Sequence, residues 1–381
     1  MTGVDADDDD RTTTAGRMRS GDDRPTTGRT QGAPDSSGGP TNRFPSSMSN
    51  LETSLTEMLD LDVPLVQAPI GSATCPELAA AVADAGALGM LAVTWRDEAQ
   101  TREVAAETAR RTDGVFGVNI VVDPDAKTVP TETHIQCCLE EGVDVFSFSF
   151  GDAAPYVERI HDHGGTVLQS VGSADEARAA VDAGVDSIVA QGWEAGGHVQ
   201  SNVATLPLVP RVVDAVPDTP VIAAGGIADG RGIGAVLTLG AAGAWLGTRF
   251  LATPEARVHR LYRQRVLDAS ETETVYATLY DEGWPNAPHR VLENETVADW
   301  RAAGEPETDR PGSNETVAET GDGTPVRRYE DSLATPELRG EVEQLPLYAG
   351  QSAGITRDVL PATELVRELA DETLAALDRT R

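Results

Sequence analysis

Residues 64–93, PLVQAPIGSATCPELAAAVADAGALGMLAV, contain one complete unit of the pattern that decides the fold. A short apolar run at 65–68 is followed by an Ala-rich amphipathic segment at 76–86 that ends in glycine, and then by a second apolar run at 88–93. Short apolar runs bounded by turn residues are typical of buried strands, and apolar positions at helical spacing are typical of a packed helix. The stretch therefore predicts a strand, a helix and a second strand.

The same unit recurs along the chain, with another Ala-rich helix predicted at 174–183. Strands that alternate with helices imply a parallel sheet with right-handed crossovers. Eight units favour an α/β fold of the closed (β/α)8 TIM barrel type over an open doubly wound sheet. The eight candidate strands are 65–68, 88–93, 116–121, 144–148, 166–169, 187–190, 221–224 and 244–247.

The first 50 residues differ in composition from the rest of the chain. Residues 1–50 contain only eight members of the AVILMFWYC set, among Asp, Thr, Gly, Arg and Ser. Such a segment cannot bury enough apolar surface to become ordered, so we expect a disordered N-terminal tail. The ordered pattern starts soon after Met48, which could be the true translation start.

The strand–helix rhythm breaks near the end of the chain. We assign 51–254 and 346–381 to the barrel, and 255–345 to an insertion before the last barrel helix, which is expected near 356–377. The insertion is richer in Arg, Glu and Asp, and its middle has loop composition. It could cover the active site or be a surface excursion without a role in it.

Charge limits the partners. The chain has 62 acidic and 30 basic residues, for a net charge of -32, and its only lysine is Lys127. Such acidity repels nucleic acid and anionic lipid, so neither is an expected partner. Because concentrated salt screens self-repulsion, with a Debye length of about 3 Å at 1 M, the balance indicates a halophilic, salt-adapted cytoplasmic protein.

The cysteines and the hydropathy indicate a reducing compartment and no membrane span. Cys75, Cys137 and Cys138 give neither a disulfide framework nor the spacing of a zinc site. No apolar run approaches the ~18 to 20 residues that a membrane helix needs. The pair Cys137 and Cys138 is expected to pack within a helix, and no base accompanies Cys75.

The residues at the C-terminal strand ends indicate the kind of site. In a TIM barrel the working groups lie at these ends. Amides, hydroxyls and glycines predominate there, which suits a large neutral heterocycle with a phosphate better than a divalent metal. Glycines after strands seven and eight could hold the phosphate through backbone N–H groups, or could only form tight turns. These strand-end residues are Gln67, Ala68, Pro69, Asn119, Ser147, Ser149, Gln169, Ser170, Gln191, Gly225, Gly226, Gly247 and Thr248.

The stretch QGWEAGGH, residues 191–198, directly follows the sixth strand. Gln191 would face the barrel mouth, and Gly196 and Gly197 would let the loop run close to a flat ligand and aim His198 inward. There His198 could bond a nitro group or take a carbon-bound proton. The alternative is a histidine bonded to loop backbone.

Glu194 is expected to cap the loop or face solvent. The other histidines, expected at the solvated surface, are His134, His161, His163, His259 and His289.

Six stretches between residues 64 and 361 resemble, in the same order, the nitronate monooxygenases, formerly called 2-nitropropane dioxygenases. They are PLVQAPIGSATCPELAAAVADAGALGML, FGVNIVV, QGWEAGGH, VIAAGGIADG, GAWLGTRFLATPEA and YAGQSAG. The resemblance implies a TIM barrel that binds FMN without a covalent link, with His198 as the active-site histidine. It departs from the family at Ile70 and at WPNAPHRVLEN, residues 284–294, both of which could touch the substrate pocket.

The resemblance also implies which residues surround the flavin. Some line its ring or bond the ring and ribityl chain, others hold the phosphate, and two from YAGQSAG close the far side. The ring and ribityl residues are Gln67, Ala68, Pro69, Asn119, Gln191, Gly196 and Gly197; the phosphate residues are Gly225, Gly226, Gly247 and Thr248; the far side is closed by Gln351 and Ser352.

The chemistry implied is oxidation of an alkyl nitronate by FMN and O2 to a carbonyl compound and nitrite. A nitronate is already an anion, so His198 would act as a base only towards a neutral nitroalkane and would otherwise orient the nitro oxygens. A flavin-dependent NAD(P)H:quinone or enoyl-acyl carrier protein reductase on the same fold is the main alternative, and a barrel that binds FMN or a phosphate ester without turnover is a second. The partners expected are the small nitro substrate and O2; an oligomer is possible.

Overall fold

A computed structural model describes residues 51–126 and 129–379. Its centre is an eight-stranded parallel sheet in the order β1-β9-β8-β6-β5-β4-β3-β2. The strands are β1 Leu65–Gln67, β2 Gly89–Ala92, β3 Phe116–Val121, β4 Val145–Ser149, β5 Thr166–Val171, β6 Ser187–Gln191, β8 Val221–Ala224 and β9 Gly243–Leu246, with a short strand β7 Gly197–His198 outside this sheet. The predicted disordered tail and Met48 lie outside the described residues.

The sheet closes between β1 and β2. A parallel bridge joins Val66 to Leu88. The backbone N–H of Gln67 donates to the Leu88 carbonyl at 3.0 Å, and the Leu88 N–H donates to the Leu65 carbonyl at 3.0 Å. Every strand therefore has two neighbours, and the predicted (β/α)8 barrel is confirmed.

The strands are apolar on both faces because each face meets a different core. Alternate side chains fill the barrel interior, and their neighbours along the chain pack against the surrounding helices. For example, Leu168 belongs to the inner cluster and Val167 to the outer one. The apolar runs read from the sequence follow from this double burial. Interior side chains are contributed by Val66, Met90, Val145, Leu168, Val189, Ile222 and Trp245.

Helices alternate with the strands, and several start at a side-chain cap. Asp97, Ser173 and Asp229 each accept a hydrogen bond from the backbone N–H three residues on. The helices are α1 Ser54–Leu59, α2 Pro76–Ala83, α3 Glu98–Arg111, α4 Thr131–Glu140, α5 Ala154–His161, α6 Ala174–Asp182, α7 Thr205–Ala215, α8 Gly230–Thr238, α9 Thr248–Leu251, α10 Arg260–Asp268, α11 Glu295–Ala302 and α12 Ala362–Asp378.

The last barrel helix starts later than the sequence predicts. The expectation was 356–377, whereas α12 begins at Ala362. Pro361 is its N-cap, and Thr356 ends the preceding 3-10 helix Gln351–Ile355 in an extended conformation. A residue before proline is disfavoured in the helical region, so the chain turns into the helix only after Pro361.

Residues 255–345 contribute strands to two small antiparallel sheets and form two α-helices and the 3-10 helix Val342–Gln344 between β9 and α12. The helices are α10 and α11, and the strands are β10 Thr274–Ala277, β11 His289–Leu292, β12 Thr316–Glu319, β13 Pro325–Arg327 and β14 Arg339–Gly340. In one sheet β11 lies between β10 and β7, and pairs His289 with His198. The inserted segment is thus hydrogen-bonded to the loop that follows β6.

None of the helices within residues 51–126 and 129–379 is long and apolar enough to cross a membrane.

Candidate active site

A cavity of about 500 Å³ lies at the C-terminal ends of the barrel strands. This volume is in the usual range for sites that bind small molecules or cofactors. Most of the residues expected at the site line it. They are Ala68, Pro69, Asn119, Gln191, Gly196, Gly197, His198, Gly225, Gly226, Gly247, Thr248 and Ser352.

Two residues expected at the flavin do not line the cavity. Gln67 is fully buried in the seam between β1 and β2, where its amide oxygen accepts from the Met90 N–H at 3.0 Å and its amide nitrogen donates to the Ala68 carbonyl. Gln351 is absent from the cavity wall, and its backbone N–H donates to the Glu194 carbonyl at 3.0 Å. The Gln67 amide is therefore bonded to neighbouring backbone instead of lining the site, whereas a role of Gln351 at the flavin stays a prediction.

The two glycine-rich motifs cross each other backbone to backbone. A Cβ on Gly350 would lie 2.7 Å from the Glu194 carbonyl oxygen and 2.8 Å from the Gly196 nitrogen, and a Cβ on Gly196 would overlap the Gly350 backbone. The protein itself therefore requires Gly196, whatever the loop approaches on its other side. Gly197 has open space around its Cβ position and a φ of 73°, which turns the chain into β7.

Glycine is present after β8 and after β9 for different physical reasons. Gly225 and Gly226 have φ values of 104° and 73°, which residues other than glycine rarely adopt. Gly247 has an ordinary φ of -103°. A Cβ there would meet only the Ala68 Cβ at 3.5 Å and the Ile70 Cδ1 at 3.7 Å, both ordinary contacts. Nothing in the described protein thus forces glycine at 247, whereas a ligand held against the backbone would. The Thr248 hydroxyl accepts from the Gly350 N–H at 2.9 Å, which leaves its hydrogen free to donate.

His198 lies in an aromatic pocket with only 10% of its side chain exposed. Its ring centroid is 4.0 Å from Trp284, 5.4 Å from His289, 5.5 Å from Tyr348 and 6.3 Å from Phe150. Its Nε2 has no hydrogen-bond partner among the described residues. Burial lowers the pKa of His198 to about 3, so the free ring nitrogen belongs to a neutral imidazole.

The loop that carries His198 is held by Gln191. The Gln191 amide nitrogen donates to the His198 carbonyl at 3.1 Å, and its oxygen accepts from the Gln200 N–H at 2.8 Å. One amide N–H of Gln191 thus remains for a ligand. Asn119 similarly donates to the Ser149 hydroxyl at 3.3 Å and keeps its amide oxygen for other partners.

The structure adds a carboxylate that sequence reasoning missed. Asp331, which precedes α12 in the inserted segment, lines the cavity with its Oδ2 3.9 Å from His198 Nε2. Its Oδ1 accepts from the Tyr348 hydroxyl at 2.5 Å. Burial raises the pKa of Asp331, and the Tyr348 hydrogen bond opposes that rise. No local signal marks this aspartate within so acidic a segment.

The two departures from the family pattern do reach the cavity. Ile70 and Trp284 both line it. The Trp284 indole N–H donates to an Asp123 carboxylate oxygen at 3.0 Å, which fixes the aromatic ring that lies nearest His198. Another aromatic ring, Trp95, lies 5.7 Å from Trp284 and is 41% exposed.

Two histidines expected at the surface are buried, so that expectation was wrong for them. His134 faces α3 from α4, with Nδ1 3.0 Å from the Thr101 hydroxyl. His289 uses both ring nitrogens on backbone, Nδ1 to the Ala287 carbonyl and Nε2 to the Tyr280 N–H. Burial lowers the pKa of His289 to about 4. The exposed ones are His161 and His163, while His259 is half-buried at the N-cap of α10.

Glu194 and the cysteines have structural roles. Glu194 Oε2 accepts from the Thr205 N–H at 2.8 Å and hydroxyl at 2.9 Å at the start of α7, which confirms the capping interpretation. Burial raises the pKa of the Cys75 thiol, which disfavours the reactive thiolate. Cys137 and Cys138 are buried in α4, as predicted. The described residues contain no group of three or more His, Cys, Asp or Glu that could hold a metal ion.

Comparisons with known proteins show which family the chain resembles. The model of the nitronate monooxygenase family matches residues 52–372. A Mycobacterium tuberculosis (3aS,4S,5R,7aS)-5-hydroxy-7a-methyl-1-oxo-octahydro-1H-indene-4-carboxyl-CoA dehydrogenase is 39% identical over 249 residues, 65% of this chain and 68% of that protein. The structure of FabK from Thermotoga maritima has a TM-score of 0.74 and 32% identity, covering 87% of this chain and 98% of that one. A nitroalkane oxidase from Streptomyces ansochromogenes has a TM-score of 0.68 and 28% identity, covering 86% and 100%.

Proposed function

Because the chain belongs to the nitronate monooxygenase family and is an oxidoreductase, we propose that it oxidises alkyl nitronates with FMN and O2, giving a carbonyl compound and nitrite. The observation that supports this most is His198, which lines the cavity among aromatic rings and whose Nε2 is hydrogen-bonded to no described residue. A nitro group is flat, which suits the aromatic rings, and a free ring nitrogen can donate to its oxygens in one tautomer or accept the proton of a neutral nitroalkane in the other. The nitroalkane oxidase of similar fold supports the same chemistry.

The cavity wall fits FMN. Gly225, Gly226 and Gly247 would bring backbone N–H groups to the phosphate, and the free hydroxyl hydrogen of Thr248 would add one donor. The absence of any internal reason for glycine at 247 favours a ligand there. Bound FMN would supply the one-electron and O2 chemistry that side chains lack.

His198 would bind and orient the substrate. In the neutral state that burial favours, its ring offers one N–H donor and one acceptor. The acceptor can take a carbon-bound proton from a neutral nitroalkane, whereas a nitronate needs no base. The rings of Trp284 and Phe150 exclude water around this nitrogen, which strengthens any hydrogen bond formed there.

The test is an absorption spectrum of the protein purified in molar KCl, recorded without oxygen before and after addition of ethyl nitronate. We expect a bound flavin whose visible absorption falls when the nitronate is added and returns with air, together with nitrite release. Protein that neither carries nor rebinds flavin would refute the cofactor assignment. Flavin that responds to NAD(P)H and ignores the nitronate would refute the substrate assignment.

A second candidate is redox chemistry on a CoA thioester, as the name of the mycobacterial relative describes. It is favoured by two arginines in the cavity wall, Arg96 and Arg257. Arg96 donates to the Ala92 and Thr74 carbonyls, and no described carboxylate pairs with it, while Arg257 pairs with Glu337 at 3.0 Å. Guanidinium groups suit phosphates. Flavin absorption that falls with an acyl-CoA and is unaffected by nitronate would favour this candidate.

A further inference from the structure

The inserted segment brings one buried carboxylate to the ring of His198. Asp331 and His198 are 8% and 10% exposed, and Asp331 Oδ2 lies 3.9 Å from His198 Nε2. This is an ion-pair distance and too long for a hydrogen bond, and no described residue is hydrogen-bonded to that nitrogen. The other oxygen, Oδ1, is fixed by the Tyr348 hydroxyl. The carboxylate therefore presents one oxygen to the histidine that faces the cavity.

The remaining ionisable groups near this pair do not replace either partner. His289, from β11, has both ring nitrogens bonded to backbone. Tyr348 donates its only proton to Asp331, and burial raises its pKa well above the ordinary value. The charge of His289 would interact with both Asp331 and His198, whereas the Asp281 carboxylate acts on His289 and is paired with Arg310. Among described cationic side chains, only His198 lies within ion-pair distance of Asp331.

Burial makes a single charge costly on either residue. It lowers the pKa of His198 and raises that of Asp331. An imidazolium beside a carboxylate offsets part of this penalty, since each charge stabilises the other. The affinity for a proton then belongs to the two groups together.

We propose that Asp331 and His198 act as one base, in which Asp331 positions and stabilises the proton that His198 takes from a carbon acid. The C–H bond of the nitroalkane breaks, its electron pair stays on the substrate as the nitronate, and the proton goes to His198 Nε2 beside Asp331. Asp331 acts through His198 and is a positioning residue. This inference rests on the proposed function, because the carbon acid is the neutral nitroalkane.

The kinetic test compares nitroethane with ethyl nitronate in Asp331→Asn. We expect kcat/KM for nitroethane to fall about 100-fold, in the range of general-base effects, and at least about tenfold more than kcat/KM for ethyl nitronate, which needs no base. Glu330→Gln is the matched control, since it removes the same charge one residue away, where the side chain bonds only the Arg327 N–H. Equal losses on both substrates, or a loss in the control as large as in Asp331→Asn, would overturn the proposal.

The direction in which the pH profile shifts distinguishes the proposed pairing from a purely structural role of Asp331. The base works when deprotonated, so nitroethane turnover falls as pH drops through the pKa of the pair. Without the carboxylate the imidazolium loses its counter-charge, and this acidic limb moves to lower pH in Asp331→Asn. Tyr348→Phe removes a hydrogen bond that favours the carboxylate, so there the limb moves to higher pH. Shifts of the same sign in both variants would contradict the pairing.

A readout that needs no turnover separates this inference from the proposed function. The His198 ring is titrated by NMR in histidine-labelled, flavin-loaded wild type and Asp331→Asn, with His198→Asn assigning the signal. An opposite charge this close shifts a pKa by about 1 to 3 units, so the midpoint should be at least about one pH unit lower in Asp331→Asn. Equal midpoints, or no titration in either protein, would overturn the coupling. A shifted midpoint in a protein inactive on both nitro substrates would keep the coupling and reject the proposed function.

Discussion

His198 and His289 show how neighbours alone decide what a histidine can do. Their rings are 5.4 Å apart on adjacent strands, and burial lowers the pKa of both. Both nitrogens of His289 are hydrogen-bonded to the backbone of its own segment, whereas His198 lines the cavity and its Nε2 is hydrogen-bonded to no described residue. Only His198 can therefore exchange a proton with a ligand.

Replacement of His198 by asparagine should separate the two substrates. His198→Asn keeps a polar side chain but removes the base, so we expect bound flavin and nitronate oxidation to persist while nitroalkane oxidation falls at least about 100-fold. Flavin content and initial rates with both substrates measure this. His161→Asn, at an exposed histidine paired with Asp186, is the control. Unchanged nitroalkane turnover in His198→Asn would exclude a base role.

At the scale of elements, the site is built where two loops cross. The loop between β6 and β7 and the segment before α12 meet at Gly196 and Gly350 with no room for a side chain. Thr248, at the start of α9, accepts from the Gly350 N–H and ties the same crossing to the end of β9. These backbone contacts hold the loops of the site against one another, so a substitution in one loop would displace the others.

Two glycine substitutions should have opposite effects on stability and on flavin binding. Gly247→Ala meets only ordinary contacts in the protein but would project into the proposed phosphate site. We expect the Tm of the flavin-free protein to stay nearly constant while the Kd for FMN rises at least about tenfold, or 1.4 kcal/mol. Gly350→Ala should destabilise the flavin-free protein by about 1 to 3 kcal/mol through overpacking. Wild-type FMN affinity in Gly247→Ala would place the phosphate elsewhere.

At the scale of the whole molecule, the excess of acidic residues dominates the electrostatics. Arginines on the helices are shared among several acids, and Arg102 of α3 contacts Glu98, Glu140 and Glu141. With 62 acidic residues against 30 basic ones, most carboxylates repel one another across the surface. Salt adaptation and a cytoplasmic location remain predictions from this balance.

Stability should therefore rise with salt. Because molar KCl shortens the Debye length to about 3 Å, we expect the free energy of unfolding to increase by about 2 kcal/mol over that in dilute buffer, or a few degrees in Tm. Thermal unfolding followed by circular dichroism at both salt concentrations measures the difference. A urea series at each KCl concentration would check it, and equal stability in both would remove the hypothesis of salt adaptation.

The sequence by itself determined the barrel and much of the cavity wall. Strands buried on two faces leave uninterrupted apolar runs, and β3 and β8 lie at the predicted bounds. Parallel strands then put their C-terminal residues at one end, which is why Asn119, Gln191 and Thr248 could be placed at the mouth from their positions alone. These features are local, so periodicity and spacing record them.

Only the tertiary structure decided the surroundings of His198. Asp331, Trp284 and His289 reach it from a segment with no strand–helix rhythm, through the pairing of β11 with β7. The inward turn of Gln67 into the β1–β2 seam and the burial of the His289 ring also depend on partners far away in the chain. Such contacts are set by how the inserted segment packs on the barrel, and a single sequence carries no local pattern that specifies them.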